Sequence, residues 1–437
     1  MRFVGLDIHK KETEAVILDE DGRILHRQRI ATSRAALEAF ARRHLGGDAQ
    51  VALEATTNTW GVVDILEPFA AEVVPSNPLR TRAIAEAKVK TDKVDALVLA
   101  QLLRCQYLPR VWRPDQPTRA MRHQTTRRAV LVSERTRLKN RIHAVLHQRL
   151  IHVPVPDLFS PKGRVWLGQL GLDPSGRAAL DSDLRLLAAV DDELLAHTQE
   201  LSRTGHGDAR IKLLMTLPGV DLAVASALVG ALGDIHRFPD ADRAAGYLGL
   251  VPSTRQSANH CYHGPITKQG NSHARWLLVQ AAQHLDKHPG PLGVFFRRLA
   301  ARKNRNVAVV ATARKLVLIA WHMLNNNEPY RYAQPKTVQA KLARLRVAAT
   351  GQRRKGGIPK GSARPAAYGS GRRTRAIPAL DDACTAEGLP HTRPLRPGEQ
   401  RIVHERGLDD FVSQIHTSTR QLRHSEPRDK SQEDRIK

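Results

Sequence analysis

Cysteine is scarce in this chain of 437 residues: there are three, Cys105, Cys261 and Cys384, too widely spaced for a disulfide framework or a zinc site. The cluster His260-Cys261-Tyr262-His263 does not change this, because adjacent ligands cannot all face one tetrahedral ion, and the stretch reads as a polar loop. No run of 18 apolar residues occurs, which excludes an obvious membrane span. The apolar opening Phe3-Val4-Gly5-Leu6 gives way at once to Asp7, too soon for a signal peptide. A soluble protein of a reducing compartment is the expectation. Acidic side chains are in deficit, 43 against 69 Lys and Arg, for a net charge of +26. What is present suffices for a core: 41% of residues are hydrophobic, so wholesale disorder is excluded. The length corresponds to about three domains at roughly 150 residues each.

The basic excess is uneven. Residues 1–110 carry 16 basic and 15 acidic side chains, residues 111–150 carry 10 and 2, residues 151–330 carry 20 and 15, and residues 331–437 carry 23 and 11. A near-neutral head followed by basic segments points to a folded unit joined to polyanion-binding surfaces, with nucleic acid favoured over membrane.

Residues 1–110 read as α/β. Residues 2–8, 14–18 and 24–30 form strands, with an Asp21-Gly22 hairpin turn between the last two. Ser33 caps a helix through about residue 44, residues 51–53 form a short buried strand ending at Glu54, residues 57–69 a helix and 72–74 a strand. Residues 79–104 are helical with a break near Lys90-Thr91. Three antiparallel strands followed by strands alternating with helices predict a mixed five-stranded sheet with helices on its faces. Residues 111–205 form a basic helical region. In it, residues 117–150 are one helix whose apolar seam, Leu131, Leu138, Ile142, Val145 and Leu146, suits a coiled coil, and two helices occupy 176–203. Residues 206–330 are helical, with Leu217-Pro218-Gly219-Val220 between two helices resembling a helix–hairpin–helix element, whose turn amides suit a phosphate. From 331 to 437 the pattern weakens. After a helix near 336–348, residues 351–437 read as a largely disordered cationic tail.

Four acids stand out. Asp7 ends the first strand, Glu54 ends the fourth, and Asp92 and Asp95 sit three apart on a helix, sharing a face. Each alone could be a surface charge, since solvated acids are common at strand ends. Converging at one sheet edge, they would repel one another unless cations intervene. Two Mg²⁺ ions suit such oxygens, and a metal pair activates a nucleophile and stabilises a leaving oxygen in phosphoryl transfer.

The strings Val4-Gly5-Leu6-Asp7-Ile8-His9-Lys10, Leu53-Glu54-Ala55-Thr56 and Lys90-Thr91-Asp92-Lys93-Val94-Asp95-Ala96 resemble the DEDD domain of transposases of the insertion-sequence 110 family, which has a RuvC/RNase H-like fold. Downstream, Leu217-Pro218-Gly219-Val220, Gly233-Asp234-Ile235-His236-Arg237-Phe238, Gly249-Leu250-Val251-Pro252-Ser253 and Ile266-Thr267-Lys268-Gln269-Gly270-Asn271 resemble that family's C-terminal transposase domain, in order. The resemblance covers about residues 1–330.

It implies a DNA transposase or recombinase in which Asp7, Glu54, Asp92 and Asp95 hold metal while a serine of the second domain attacks DNA phosphate, giving a covalent phosphoserine. It further implies donor and target DNA as substrates, selection of both by a structured bridge RNA, assembly as a dimer or tetramer, and a cytoplasmic, nucleoid-associated setting. Family members usually carry Ser-Gly between the Gly-Leu-x-Pro and Ile-x-Lys-x-Gly strings. Here Ser257 fits that position, with Ala258 in place of the glycine; Ser253 and then Ser272 are the further candidates. Lys268, Asn271 and Arg275 suit phosphate or RNA-backbone contact. Two rivals remain open at this stage: a metal-dependent junction endonuclease that uses water, and a non-enzymatic nucleic-acid-binding protein.

Overall fold

The computed structural model describes residues 1–85, 92–257, 260–352 and 374–422. The expected break at Lys90-Thr91 and the residue Ala258 lie outside these. The chain divides into two compact units, Met1–Pro114 and Asp115–Lys437.

The first unit is built on β1 (Arg2–Ile8), β2 (Glu12–Leu18), β3 (Ile24–Ala31), α1 (Arg34–His44), β4 (Ala49–Glu54), α2 (Thr59–Leu66), β5 (Glu72–Ser76), α3 (Pro78–Ile84) and α4 (Asp92–Arg104). Its five strands lie in the order β3-β2-β1-β4-β5; β1 runs antiparallel to β2 and parallel to β4, so the sheet is mixed as the sequence predicts. Gly22, at φ 85°, makes the turn between β2 and β3, and Ser33 accepts a hydrogen bond from the Ala36 N–H to start α1. The pleat sends alternate side chains to opposite faces. Val4, Leu6, Ile8, Val51 and Leu53 join the core beneath α1 and α2. Phe3, Val16, Leu18, Ala52 and Val74 pack instead with Ala96, Leu99, Ala100 and Leu103 of α4. Between them, Gly5 has no side chain for a physical reason: a Cβ there would stand 1.9 Å from the Ala96 carbonyl oxygen. The glycine lets the first turns of α4 rest directly on β1.

The second unit begins with α5 (Gln116–His147), α6 (Pro161–Gln169) and α7 (Pro174–Gly207). Asp115 and Asp173 cap α5 and α7. The two long helices run antiparallel, as their cross-contacts show: Arg149 pairs with Asp173, Arg141 with Asp183 at 2.6 Å, and the His197 ring nitrogen meets the Gln124 carbonyl at 2.7 Å. Leu138, Ile142 and Leu146 pack against Leu158, Leu167, Leu180 and Leu187. Residues 176–203, expected from sequence to be two helices, belong to the single helix α7. Leu180, Leu187, Leu194 and Leu201 recur every seventh residue on its buried face, with no proline to interrupt them.

Beyond α7 come α8 (Ala209–Leu214), α9 (Leu222–Leu232), α10 (Ala241–Tyr247), the hairpin β6 (Pro252–Ser257) and β7 (His260–Ile266), then α11 (Ser272–Gln283), α12 (Pro291–Arg302), α13 (Arg305–Asn326) and α14 (Pro335–Thr350). The largest core gathers around α9 and α13. Among the described residues α13 alone is long and apolar enough to cross a membrane, and its Ala308, Val309, Ala313, Leu316, Val317 and Ala320 are buried in that core. The turn between α8 and α9 is closed from within. Gly219, at φ 77°, sits where a Cβ would meet the Ala281 carbonyl oxygen, and Lys341 of α14 donates to the carbonyls of Met215, Leu217 and Val220 at 2.6–2.9 Å. The Val224 amide, which the sequence pattern offers to a phosphate, is taken by the side chain of Asp221.

Two further expectations change. His260-Cys261-Tyr262-His263 is not a loop but lies on β7, paired with β6. Both faces of this hairpin are largely exposed, so no apolar alternation marks it in the sequence. Within the expected disordered tail, residues 374–422 carry β8 (Thr374–Ile377), α15 (Leu380–Thr385), α16 (Pro397–Glu405), α17 (Asp409–His416) and β9 (Thr419–Leu422). Leu380, Cys384 and Leu389 reach the large core, and Arg331 pairs with Glu399 at 2.7 Å. Three apolar anchors and ion pairs that include Arg331–Glu399 and Arg346–Glu387 order a segment whose composition alone reads as cationic and unstructured.

Candidate active site

β1 and β4 are parallel neighbours in the register Leu6↔Leu53, so Asp7 and Glu54 are the next residues along, side by side at the carboxyl ends of the two strands. Strand alternation sets their face. Phe3 and Ala52 point toward α4, and so, by the two-residue period, do Asp7 and Glu54. Asp92 and Asp95 open α4 on that same face, held there by the contact between Gly5 and Ala96. The backbone thus brings the four acids to one end and one face of the sheet, although up to 88 positions separate them in the chain.

The fine geometry centres on Asp7. Its side chain is 14% exposed, and its Oδ2 lies 3.1 Å from Nε2 of His9; the same ring nitrogen lies 3.4 Å from Oδ1 of Asp92. Ligand atoms of Asp7, His9 and Asp92 all fall within 4.8 Å of one another. Burial pushes the Asp7 carboxyl above its ordinary range, and the charges of Asp95 and Asp92 push the same way, while His9 opposes them. His9 in turn is raised, first by Asp7 and then by Asp92, despite partial desolvation. A carboxylate made costly by burial and by like-charged neighbours is what a bound cation would relieve, and a hard, oxygen-rich donor set suits Mg²⁺ or a similar ion.

Two residues here are not among those the sequence pattern singles out. His9 stands two positions beyond Asp7 and so projects from the same edge, the signal that would have found it. Glu14 is the cross-strand partner of Asp7, 5% exposed, and it is bonded to the Arg29 guanidinium. That pairing neutralises Glu14 and separates it from the four acids above.

The other expected residues belong to the second unit. Ser257 ends β6, exposed, opposite His260 at the hairpin tip. Ser253 is half-buried near the base of that hairpin, and Ser272 is exposed at the start of α11. Asn271 caps α11 by accepting from the Ala274 N–H at 2.9 Å. Arg275 donates to the Leu248 and Gln269 carbonyls at 3.0 and 3.1 Å, tying the Gly-Leu-x-Pro segment to the helix. Lys268 is exposed, on a backbone with φ 55° that its neighbour Gly270, at φ 79°, shares. Asn271 and Arg275 therefore have structural partners, whereas Lys268 projects into solvent.

Known proteins resemble this chain in both units. A family model described as Transposase matches residues 4–151, and one described as Transposase IS116/IS110/IS902 family matches residues 211–292, so that together they span more than half of the chain. Transposases are enzymes that act on DNA. A putative transposase of Sinorhizobium fredii is 27% identical over 64% of this chain and 70% of its own length. An uncharacterized protein of insertion element IS116 from Streptomyces clavuligerus is 25% identical over 77% of this chain and 98% of its own length. The pilin gene-inverting protein of Moraxella bovis is 25% identical over 58% and 73%. The chain belongs to the IS116/IS110/IS902 transposase family.

Proposed function

We propose that the chain is a DNA recombinase of a mobile element, in which Asp7, Glu54, Asp92 and Asp95 hold a pair of Mg²⁺ ions and Ser257 is the nucleophile. The convergence of the four acids beside α4, with Asp7 made unwelcome as an anion by burial, is the observation that carries the reading. The bound ions would supply charge neutralisation at a DNA phosphate and polarise its oxygens. His9 orients the Asp7 carboxylate through its Nε2 contact and opposes the accumulated negative charge. In the covalent step the Ser257 Oγ forms a bond to phosphorus as one P–O ester bond breaks; the serine proton departs and the released sugar oxygen gains one. Attack by a second DNA hydroxyl on that phosphoserine restores the serine and joins the new strand. Lys268 holds backbone phosphate, while Arg275 and Asn271 keep its loop in place. Family membership supports guidance by a structured bridge RNA and action as a dimer or tetramer on donor and target DNA in the nucleoid.

A denaturing gel of end-labelled DNA incubated with the full chain and Mg²⁺ tests this. A protein–DNA adduct is expected, absent with Ser257→Ala and with Asp7→Ala, and resistant to boiling. If Ser257→Ala keeps the adduct while Ser253→Ala loses it, the nucleophile is Ser253. Cleavage without any adduct would replace the recombinase with a hydrolytic junction endonuclease that needs only the acids.

A further inference from the structure

A cleft of about 690 Å³ opens in the second unit between α5, the start of α9 and α11, and no role in the reaction above uses it. Its volume falls in the range of ligand-binding clefts. Its walls are unlike each other. On one side α5, which carries eight Lys or Arg and a single acid, turns Arg128 and Arg135 into the cleft. On the other, α11 presents His273, Trp276 and Gln280, residues that share a face at helical spacing.

Two of these side chains are out of place for a structural role. Trp276 is 51% exposed, although a tryptophan that served only packing would be covered, and its outer ring is backed by His273, stacked at a centroid distance of 6.2 Å and an interplanar angle of 20°. Arg128 is half-buried and, among the described residues, makes no hydrogen bond; Asp221 across the cleft acts on it only through its charge, whereas Arg135 reaches Asp191 at 4.0 Å. Burial lowers both Arg128 and the neighbouring His273, which further disfavours positive charge on the ring. The cleft also holds Asp221, whose carboxylate accepts from the Val224 amide and whose charge is felt at Arg128, but α5 sets three arginines, Arg128, Arg135 and Arg137, against that one acid. An anion is therefore directed to the α5 wall, and a flat apolar group to the α11 wall.

We propose that this cleft binds an unpaired nucleotide of a single-stranded nucleic acid, the base stacked on Trp276 and the backbone phosphate on Arg128. A base within a duplex is already stacked on both faces and cannot enter a concave site, so the cleft selects for single strand. The proposal draws on the reading of the chain as a nucleic-acid enzyme only for the source of the strand. Binding is measurable without Mg²⁺ and without cleavage, so its failure would leave the carboxylate chemistry standing.

The test is fluorescence anisotropy of the full chain in EDTA with labelled dT12, labelled rU12 and a blunt 12-bp duplex, the two single strands separating a DNA source from an RNA source. Trp276→Ala is expected to weaken at least one single strand about tenfold or more while shifting the duplex less than twofold. Trp276→Phe should restore most of the loss, since a phenyl ring still stacks. Arg128→Gln should weaken the same strand and lower the slope of log affinity against log salt by about one. Melting curves that match the parent establish that each variant is folded. Equal losses on single strand and duplex, no change on any probe, or displacement of dT12 by poly-Glu of equal charge as readily as by unlabelled dT12, would each overturn the proposal.

Discussion

The second unit and the acids around Asp7 in the first handle negative charge in opposite ways. In the second unit many aspartates serve the fold directly. Asp173, Asp208, Asp221, Asp234 and Asp240 cap helices, and Asp181 and Asp286 face Arg177 and Arg305. Their hydrogen bonds and arginine partners hold Asp173, Asp181 and Asp286 below the usual carboxylate range. In the first unit Asp7 goes the other way, raised by burial and by Asp95 and Asp92. The fold satisfies the first set of acids by itself, whereas at Asp7 burial and like-charged neighbours stand against the charged form. That contrast, rather than the number of acids, separates a candidate site from ordinary helix caps.

Substitutions can break or sharpen the contrast. The largest effect belongs to the site: Asp7→Asn or Glu54→Gln should lower DNA strand transfer by about 10³-fold or more, the loss of several kcal/mol of transition-state stabilisation. The melting temperature should hold or rise, because Asp7→Asn removes a charge that burial opposes. A fall in strand transfer matched by unfolding would erase the distinction between the units. Next, Lys341→Met should destabilise the second unit by about 3 kcal/mol in urea unfolding, since it leaves three carbonyls of the α8–α9 turn without their donor. Lys341 is lowered by burial to about 8. Between about pH 8 and its ordinary range near 10.5 the unfolded chain holds the proton that the folded chain has released, so stability from this residue rises as pH climbs through that window. Melting curves at pH 8, 9 and 10 should show that rise in the parent and lose it in Lys341→Met. Gly5→Ala should cost about 1–3 kcal/mol by forcing α4 off β1, and should lower strand transfer as well because Asp92 and Asp95 move with the helix. The smallest effect is Asp221→Ala, about 1 kcal/mol of stability from a lost cap, read in urea unfolding.

Much of the first unit is legible in the residues. The Asp21-Gly22 turn, the Ser33 cap and the change from hairpins to strand–helix alternation predict the observed mixed sheet of five strands, because each is a local signal that the tertiary structure does not override. The acids are legible as a set through their positions at strand ends and on one helix face. His9 is marked only by its place two residues beyond Asp7, a spacing that gains meaning once the strand end and α4 meet. In the second unit, local signals mislead where long-range packing decides. The β6–β7 hairpin has no buried face to impose alternation. The length of α7 is set by a leucine seam answered on α5 and α6, and the ordering of residues 374–422 depends on Leu380 and Cys384 reaching a core that α14 shares with helices far upstream in the chain. Charge and place in the motif suggest backbone binders at Asn271 and Arg275; their hydrogen bonds are visible only once the Gly-Leu-x-Pro segment lies against α11.

The ammonium of Lys341, threaded into the turn at residues 215–220, also has a bearing on biogenesis. During synthesis the helices flanking that turn leave the ribosome long before the residue that locks them, so the helical body stays an open assembly, with apolar surface uncovered, until translation has passed α14. An element whose message is truncated upstream of that codon would yield a polypeptide with its near-neutral first unit intact but its helical body left open to proteolysis.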